Sequence, residues 1–178
     1  GGAQPMLTED ERLALSFNGE IYNFQELRKE LEALGHQFRT HSDSEVILEA
    51  YRAWGPKCVE RLHGMFVFAL YDQANRQLLL ARDRLGVKPL YHARLADGSI
   101  IFGSELKALL EHPALRREPD LAMVDDFLAF GYVPDHGCIV AGVQKLAAGH
   151  YWLLTQGKAE PAPTQYWDLD FSNRVKGS

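Results

Sequence analysis

The spacing of apolar residues in the first third of the chain predicts one short strand and two amphipathic helices. Residues 12–17 read as the strand. Residues 24–34 carry apolar side chains at helical spacing, and a second helix is predicted from residue 42 to residue 54, with a short edge strand over residues 36–41 between them. Both helices begin with capping-box spacing: Asn23 with Glu26, and Ser42 with Glu45.

The middle of the chain changes to the period of β-strands. Four strands are predicted, at residues 65–72, 77–83, 90–95 and 99–105. The turns between them are short, which favours antiparallel pairing. The first of these strands is apolar on both faces, so it needs cover on both sides. This pattern predicts a layered sandwich with helices outside rather than an open sheet.

The last third mixes both kinds of element, so the predicted fold class is α+β. A short helix is predicted at residues 106–112, and late strands at residues 138–146 and 150–156. A longer helix is predicted to begin at Pro119–Asp120 and to end at Gly131. Its predicted buried side consists of four residues: Met123, Val124, Phe127 and Leu128.

Composition narrows the classes of function. The 178 residues are 46% hydrophobic and 24% charged, as in ordinary globular domains. The net charge of −5, with no basic face, argues against nucleic acid as the main partner. No apolar stretch is long enough for a membrane span, and the start does not resemble a signal peptide. Two cysteines far apart argue against a disulfide framework and favour the cytoplasm.

The first candidate site is the run Asn18-Gly19-Glu20, directly after the predicted first strand. One interpretation is a turn between a strand and a helix, because Asn-Gly is a common turn pair. The other is a ligand site. A glycine lets a backbone N–H approach a ligand, and an amide beside it supplies a second donor for a developing oxyanion. Glu20 would then hold a cationic group.

A second candidate is Asp43, at the predicted start of the second helix. A carboxylate is favoured there by the helix dipole alone, which is a sufficient structural reason for it. Binding of a cationic ligand is the functional alternative.

The third candidate is the basic cluster of residues 81–91, in which Arg82, Arg84 and Lys88 surround a glycine and a proline. It lacks the spacing of a phosphate-binding P-loop. The cluster is interpreted as an anion site, a contact with a second domain, or a turn whose arginines pair with nearby acids. The acids considered are Asp72, Asp83 and Glu105.

The cysteines and histidines predict no further chemistry. Apolar spacing places Cys58 on a buried helix face, and Cys138 is also interpreted as a buried structural residue. The histidines show no paired ligand spacing, so no metal site is predicted.

Taken together, the motifs resemble a known family. In order along the chain they are FNGEIYNFQELRKELEALGHQF, THSDSEVILEAY, LHGMFVFALYD, LLLARDRLGVKPLYH, FGSELKALL, GHYW and YWDL. This series resembles the N-terminal glutaminase domain of glutamine-hydrolysing asparagine synthetases, which are class II amidotransferases with the N-terminal-nucleophile fold. The resemblance implies a four-layer αββα sandwich of antiparallel sheets.

The resemblance also implies a reaction. An N-terminal cysteine attacks the amide of L-glutamine, and ammonia passes to a C-terminal synthetase domain, where ATP and Mg²⁺ activate aspartate for conversion to asparagine. The whole protein would then be a ligase with glutaminase activity. No cofactor is implied for the glutaminase domain itself, and a homodimer is compatible with the family.

Individual roles follow from the same resemblance. Asn18 and Gly19 match the oxyanion hole, and both are predicted to bind substrate. Glu20 matches a residue near the substrate's amino group, and Asp43 matches the carboxylate that binds the α-ammonium. Arg82 and Lys88 lie in a segment that is predicted to face the synthetase domain.

Several family features are not found in this sequence, so we expect it to be a piece of a longer protein. The nucleophilic Cys-Gly-Ile start, a substrate-binding Arg-Arg-Leu-Ser-Ile stretch and the pyrophosphate loop of the synthetase domain are not in it. Residues 1–171 are predicted to be an amidotransferase domain lacking its N-terminal strands, which would leave the sandwich incomplete. Residues 172–178 would begin a linker. The piece alone is predicted to be inactive.

Two alternatives remain open from the sequence. The first is an amidotransferase paralogue of exosortase and exopolysaccharide gene clusters, which shares the same motifs. The second is a non-catalytic regulatory or binding domain that keeps the fold without the chemistry.

Overall fold

A computed structural model describes residues 4–135 and 137–170 of the chain. The predicted linker, residues 172–178, lies outside the described residues. The strands are β1 (Met6–Leu7), β2 (Leu13–Ile21), β3 (Gly64–Asp72), β4 (Gln77–Arg82), β5 (Tyr91–Arg94), β6 (Ile100–Gly103), β7 (Val143–Lys145), β8 (His150–Thr155) and β9 (Thr164–Gln165). The helices are α1 (Phe24–Ala33), α2 (Asp43–Trp54), a 3₁₀ helix (Gly55–Arg61), α3 (Leu106–Leu110) and α4 (Leu121–Phe130).

The strands form two antiparallel sheets. The larger sheet has the order β1-β2-β3-β4-β8-β9, and the smaller one has the order β6-β5-β7. In the larger sheet β2 pairs with β3 along its whole length, from Leu13 opposite Asp72 to Ile21 opposite Gly64. The short β1 covers only Ala14 and Leu15 on the other side of β2.

Three clusters of buried side chains separate four layers, so the predicted αββα sandwich is confirmed. The first cluster joins α1 and α2 to the larger sheet, with Leu31 and Ile47 packed against the strands. The second lies between the sheets and includes Leu80 and Trp152. The third joins the smaller sheet to α3 through Leu109.

The prediction that β3 is covered on both sides is also confirmed. Phe66, Phe68 and Leu70 belong to the cluster under the helices. Val67 and Ala69, which alternate with them, belong to the cluster between the sheets. A strand buried in this way fixes its own register, because a shift by one residue would exchange the two sets of side chains.

The predicted end of the first strand at residue 17 is wrong, because β2 continues through Asn18-Gly19-Glu20 to Ile21. A turn is therefore not the reason for the glycine. A Cβ atom on Gly19 would lie 2.1 Å from the carbonyl oxygen of Met65 on β3. Gly64 is similarly restricted, since its Cβ would lie 2.0 Å from the carbonyl oxygen of Glu20. The two glycines allow β2 and β3 to approach closely where the candidate site lies.

The capping boxes and the edge strand between the first two helices are not formed as predicted. Residues 36–41 contain no strand. The side chain of Asn23 makes no cap bond and instead accepts from the N–H of His63 and donates to the carbonyl of Arg61. Ser42 does cap α2, accepting from the N–H of Ser44 at 3.2 Å, but Glu45 does not complete the box.

The buried side predicted for α4 is wrong. None of its residues is buried, and Phe127 and Leu128 are 45% and 76% exposed. The helix does begin after Asp120 and end at Gly131 as predicted. The strand predicted at residues 138–146 is shorter in the structure, since within that range only the three residues of β7, Val143–Lys145, pair with β5. Periodicity therefore indicated an apolar face on α4, but it did not show whether other described residues cover that face.

Among the residues that the structure describes, no helix is long and apolar enough to cross a bilayer.

Candidate active site

The backbone of β2 points alternately toward β3 and toward the opposite, open edge. Tyr22, just beyond the strand, donates its N–H to the carbonyl of His63 at 2.7 Å, so the even-numbered positions face β3. Opposite Gly19, both backbone groups of Phe66 are bound to Asp83 instead, at 3.2 Å and 2.8 Å. The N–H of Gly19 is therefore directed to the open edge of β2.

Side chains occupy the neighbouring positions of this edge. The amide of Gln4 pairs with Phe17 like a strand would: the N–H of Phe17 donates to Oε1 at 2.9 Å, and Nε2 donates to the carbonyl at 2.6 Å. The N–H of Ile21 donates to Oδ2 of Asp43 at 3.1 Å. Gly19 lies between these two positions. The N–H of Gly19 is thus a donor at the strand edge, and the carboxylate of Asp43 lies at the same edge two residues further along β2.

Asp43 reaches the edge of β2 because α2 begins beside it. It is the first residue of α2, directly after the capping Ser42. The helix dipole favours a carboxylate at this position. One of its oxygens is bound to Ile21, and the carboxylate stands at the same strand edge as the N–H of Gly19.

The loop that leads into Asp43 is fixed by the buried carboxylate of Glu45. It accepts the N–H of Arg39 at 2.8 Å, the N–H of Thr40 at 2.7 Å and the hydroxyl of Thr40 at 2.6 Å. Burial disfavours the charge, but these hydrogen bonds outweigh it, so the pKa of Glu45 lies below its ordinary value. The predicted capping box would have Glu45 accept the N–H of Ser42. Glu45 instead binds the loop before the helix, and the spacing of residues in the sequence does not reveal these partners.

The odd-numbered side chains of β2 point toward the helices, whereas the side chain of Asn18 points into the space between the two sheets. Its Nδ2 donates to Oγ of Ser104, just after β6, at 3.0 Å. Beside the pair lies a cavity of about 410 Å³ with an apolar floor that includes Val67 and Leu90. Glu20 projects from the same face of the strand and is exposed. The cavity is within the size range of small-molecule sites.

The structure therefore brings the four predicted substrate-binding residues to one corner of the larger sheet: Asn18, Gly19, Glu20 and Asp43. A side-chain amide and a backbone N–H stand on adjacent residues, with a carboxylate nearby. Their individual roles stay predictions. Ser104 and Gln4 also belong to this corner and were not predicted, because neither lies in a pattern that signals a distant contact.

Comparison with known proteins is consistent with this geometry. The sequence profile of the glutamine amidotransferase domain matches residues 1–167. The chain belongs to this family.

The curated relatives of this amidotransferase domain that match it are longer proteins. It is 38% identical over 174 residues to asparagine synthetase [glutamine-hydrolyzing] 3 of Bacillus subtilis, covering 96% of the chain but 28% of the relative. It is 51% identical over 109 residues to a probable asparagine synthetase of Dictyostelium discoideum, covering 61% of the chain and 20% of the relative. The chain spans less than a third of these relatives.

Solved structures share the fold at low identity. The glutamine phosphoribosylpyrophosphate amidotransferase of B. subtilis superposes with a TM-score of 0.58 at 20% identity, over 92% of this chain and 32% of that one. A glutamine aminotransferase class-II domain protein from Silicibacter pomeroyi gives a TM-score of 0.57 at 16% identity, over 94% and 72% of the two chains. The sandwich is thus the N-terminal-nucleophile type predicted from the sequence.

Arg82 of the amidotransferase domain is buried, and its guanidinium is used inside the domain. It donates to the carbonyls of Gly86, Lys88 and Leu146 at 2.7–2.8 Å, and it forms a two-pronged ion pair with Asp135 at 2.9 Å and 3.0 Å. The pairing predicted for it with Asp72, Asp83 or Glu105 is wrong.

The predicted acidic partners of this cluster have other roles. Asp83 accepts four backbone N–H groups, those of Phe66, Leu85, Val87 and Lys88, at 3.0–3.2 Å. Asp72 pairs instead with Arg12 at 2.8 Å. The loop after β4 is therefore built around a buried carboxylate and a buried guanidinium. The interdomain roles of Arg82 and Lys88 stay predictions.

Both cysteines are buried, as predicted. Burial raises the pKa of the Cys58 thiol to about 12, so it is a neutral core side chain at physiological pH and not a nucleophile. Within residues 4–135 and 137–170, no group of three acidic, histidine or cysteine side chains has the arrangement of a metal site.

Proposed function

We propose that this domain hydrolyses the side-chain amide of L-glutamine and delivers the ammonia to a C-terminal synthetase domain of the same polypeptide. The observation that carries the proposal is the edge of β2. The N–H of Gly19 and the N–H of Ile21, which donates to the carboxylate of Asp43, are two residues apart, or about 7 Å along a strand. This is comparable to an extended glutamine side chain measured from its α-nitrogen to its amide oxygen.

Each end of the substrate then meets a complementary group. The α-ammonium binds Asp43, with Glu20 nearby, through charge-assisted hydrogen bonds. The amide oxygen faces the N–H of Gly19 and the side-chain amide of Asn18. When a nucleophile adds to the carbonyl carbon, the oxygen becomes an anion, and these two donors stabilise it.

The proposed nucleophile is a cysteine of the sequence that precedes Gly1, as the resemblance implies. The thiol gives up its proton as its sulfur bonds to the amide carbon. The tetrahedral intermediate then collapses: the C–N bond breaks, and the leaving nitrogen takes up a proton and departs as ammonia, which leaves a glutamyl thioester. Water hydrolyses the thioester to glutamate and restores the thiol. The two internal cysteines do not serve, because both are buried in the cores. We therefore expect the 178-residue chain alone to release no ammonia from glutamine.

The proposed acceptor of ammonia is aspartate, activated by ATP and Mg²⁺ in the synthetase domain. Support comes from the relatives, which are named glutamine-hydrolyzing asparagine synthetases and extend well beyond the matched region. By the same likeness to biosynthetic enzymes, the protein is proposed to act in the cytoplasm.

The exposed apolar side chains of α4 support contact with the proposed synthetase domain. Leu121, Leu128 and Phe130 on α4 are 62–76% exposed, and Tyr132 follows them. An apolar helix with no buried residue is a mark of an interface, and here the proposed occupant is the synthetase domain.

The test is a glutaminase assay on the full-length polypeptide. Asp43→Asn is expected to raise the KM for glutamine by about 10- to 100-fold with a smaller change in kcat, because it removes the charge that binds the ammonium. Glu26→Gln is the matched control, a carboxylate in the first turn of the neighbouring helix α1, and should leave KM unchanged.

Equal KM values for the wild type and Asp43→Asn would overturn the placement of the substrate. A full-length protein that releases no glutamate from glutamine would overturn the enzymatic proposal as a whole. Rescue of an asparagine auxotroph by the full-length gene tests the acceptor separately.

A further inference from the structure

The hydrogen bond between Asn18 and Ser104 links the two sheets at the mouth of the cavity. Asn18 belongs to β2 of the larger sheet, and Ser104 follows β6 of the smaller one. The Nδ2···Oγ distance is 3.0 Å, and the two residues are 86 positions apart in sequence. Both residues are accessible to water, so this hydrogen bond contributes little to the stability of the core.

Asn18 needs such a partner if it is to stabilise an oxyanion. A side-chain amide carries two N–H donors on one end and an acceptor oxygen on the other. Rotation by half a turn about the last side-chain torsion exchanges the two ends, and both orientations are accessible to an exposed asparagine. Only the orientation with the nitrogen toward the substrate helps, since the oxygen would repel the developing negative charge.

In the structure the hydroxyl of Ser104 accepts one N–H of Asn18, and this bond holds the orientation in which the amide nitrogen lies on the side of Ser104. The second N–H is on the same nitrogen and forms no hydrogen bond to the described residues, so it remains available to a ligand. Donor capacity is then divided: one hydrogen holds the side chain, and the other is presented to the substrate.

Ser104 is itself held by packing. The residue before it, Gly103, ends β6, and a Cβ there would lie 3.0 Å from Cδ1 of Leu109. Leu109 is buried in the cluster under α3, and the helix begins only two residues after Ser104. The serine thus stands at a tight junction between a paired strand and a helix, a rigid support for a positioned group.

We propose that Ser104 is a positioning residue for glutamine hydrolysis, acting through Asn18 by orienting its amide nitrogen toward the oxyanion. This proposal rests on the proposed function. It also assigns a task to the segment that follows β6 of the smaller sheet.

The experiment is a double-mutant cycle in the full-length polypeptide, with Asn18→Ala, Ser104→Ala and the combined variant. Asn18→Ala is expected to lower the glutaminase kcat by about 100-fold, as for the loss of one oxyanion donor. Ser104→Ala is expected to lower kcat by about 10-fold with KM within about twofold. In the combined variant, Ser104→Ala should cause no further loss, because the group through which it acts is gone.

Two further measurements separate positioning from a structural role. Ser104→Thr keeps the hydroxyl and should retain most of the activity. An aldehyde analogue of glutamine, whose adduct with the nucleophilic thiol carries a tetrahedral oxyanion, should bind Ser104→Ala about 10-fold more weakly. Ser99→Ala is the control, since this exposed serine lies just before β6 and its hydroxyl donates to Asp97 in its own turn.

The outcomes distinguish this inference from the function on which it rests. If the losses in the combined variant multiply, or if aldehyde binding is unchanged in Ser104→Ala, the serine is structural and the inference is wrong. If Asn18→Ala keeps full activity, the oxyanion assignment itself fails. Unfolding midpoints equal to the wild type confirm that a loss of kcat is not a loss of folded protein.

Discussion

The corner at Asn18 and the loop at Arg82 are both polar segments next to β3, yet they use their polar groups in opposite ways. At the loop, the side chains of Arg82 and Asp83 make nine hydrogen bonds to groups among the described residues, two of which also form the ion pair with Asp135. At the corner, Gly19 keeps its N–H directed outward, and Asp43 binds the chain through one oxygen. Groups with internal partners build the structure, whereas groups left at an edge are available to a ligand.

The largest expected effect on stability comes from the loop. Arg82→Ala should lower the free energy of unfolding by about 4 kcal/mol, because three carbonyls lose a charged donor and a buried volume is emptied. Urea unfolding of the 178-residue chain, followed by circular dichroism, measures it. Arg116→Ala, an exposed arginine in the loop after α3, should change the value by less than about 0.5 kcal/mol. Equal free energies of unfolding for the two variants would show that the internal contacts of Arg82 do not stabilise the domain.

The next effect is steric and lies at the corner. Gly19→Ala should cost about 3 kcal/mol, since the added Cβ meets the carbonyl oxygen of Met65 at 2.1 Å and the strands must separate. Gly98→Ala is the comparison, because a Cβ there meets nothing within 4 Å and the cost is only conformational, about 1 kcal/mol. If Gly19→Ala is no worse than Gly98→Ala, close approach of β2 and β3 is not why the glycine is there.

The smallest effect on stability concerns Glu45. Its side chain is buried and hydrogen-bonded inside the domain, as are those of Arg82 and Asp83, but it lies beside the corner. Its folded-state pKa is lowered, so its contribution to stability is full above its ordinary value of 4.5 and is lost as the pH falls through the folded-state pKa. Glu45→Gln should cost about 1–2 kcal/mol at pH 7 and flatten the acid side of the stability profile.

Unfolding of both proteins between pH 7 and pH 3 tests this prediction. The difference between wild type and Glu45→Gln should shrink toward the acid end. A difference that stays constant with pH would show that the charge of Glu45 is not what fixes the loop before Asp43.

The sequence predicted the layers well, because the alternation in β3 is a local property that reports burial on both faces. It also singled out four residues that the structure brings to one corner, although their roles stay predictions, and for Gly19 the local interpretation and the structure differ. Whether an Asn-Gly pair forms a turn or remains in a strand depends on Gly64 and Met65, more than forty residues away. Periodicity could not locate the partners of Arg82 or the cover of α4 for the same reason. Both depend on contacts between residues that are far apart in the sequence.

The side chains along the edge of β2 have one more consequence, for how the protein avoids joining its neighbours. An open strand edge invites another chain to pair with it and begin an aggregate. Here the amide of Gln4 and the carboxylate of Asp43 take the positions on either side of Gly19, so an incoming strand finds no run of free groups to follow. A small molecule needs only one donor and can still enter. The same two side chains thus leave one backbone donor for the proposed ligand and no continuous edge for a polypeptide.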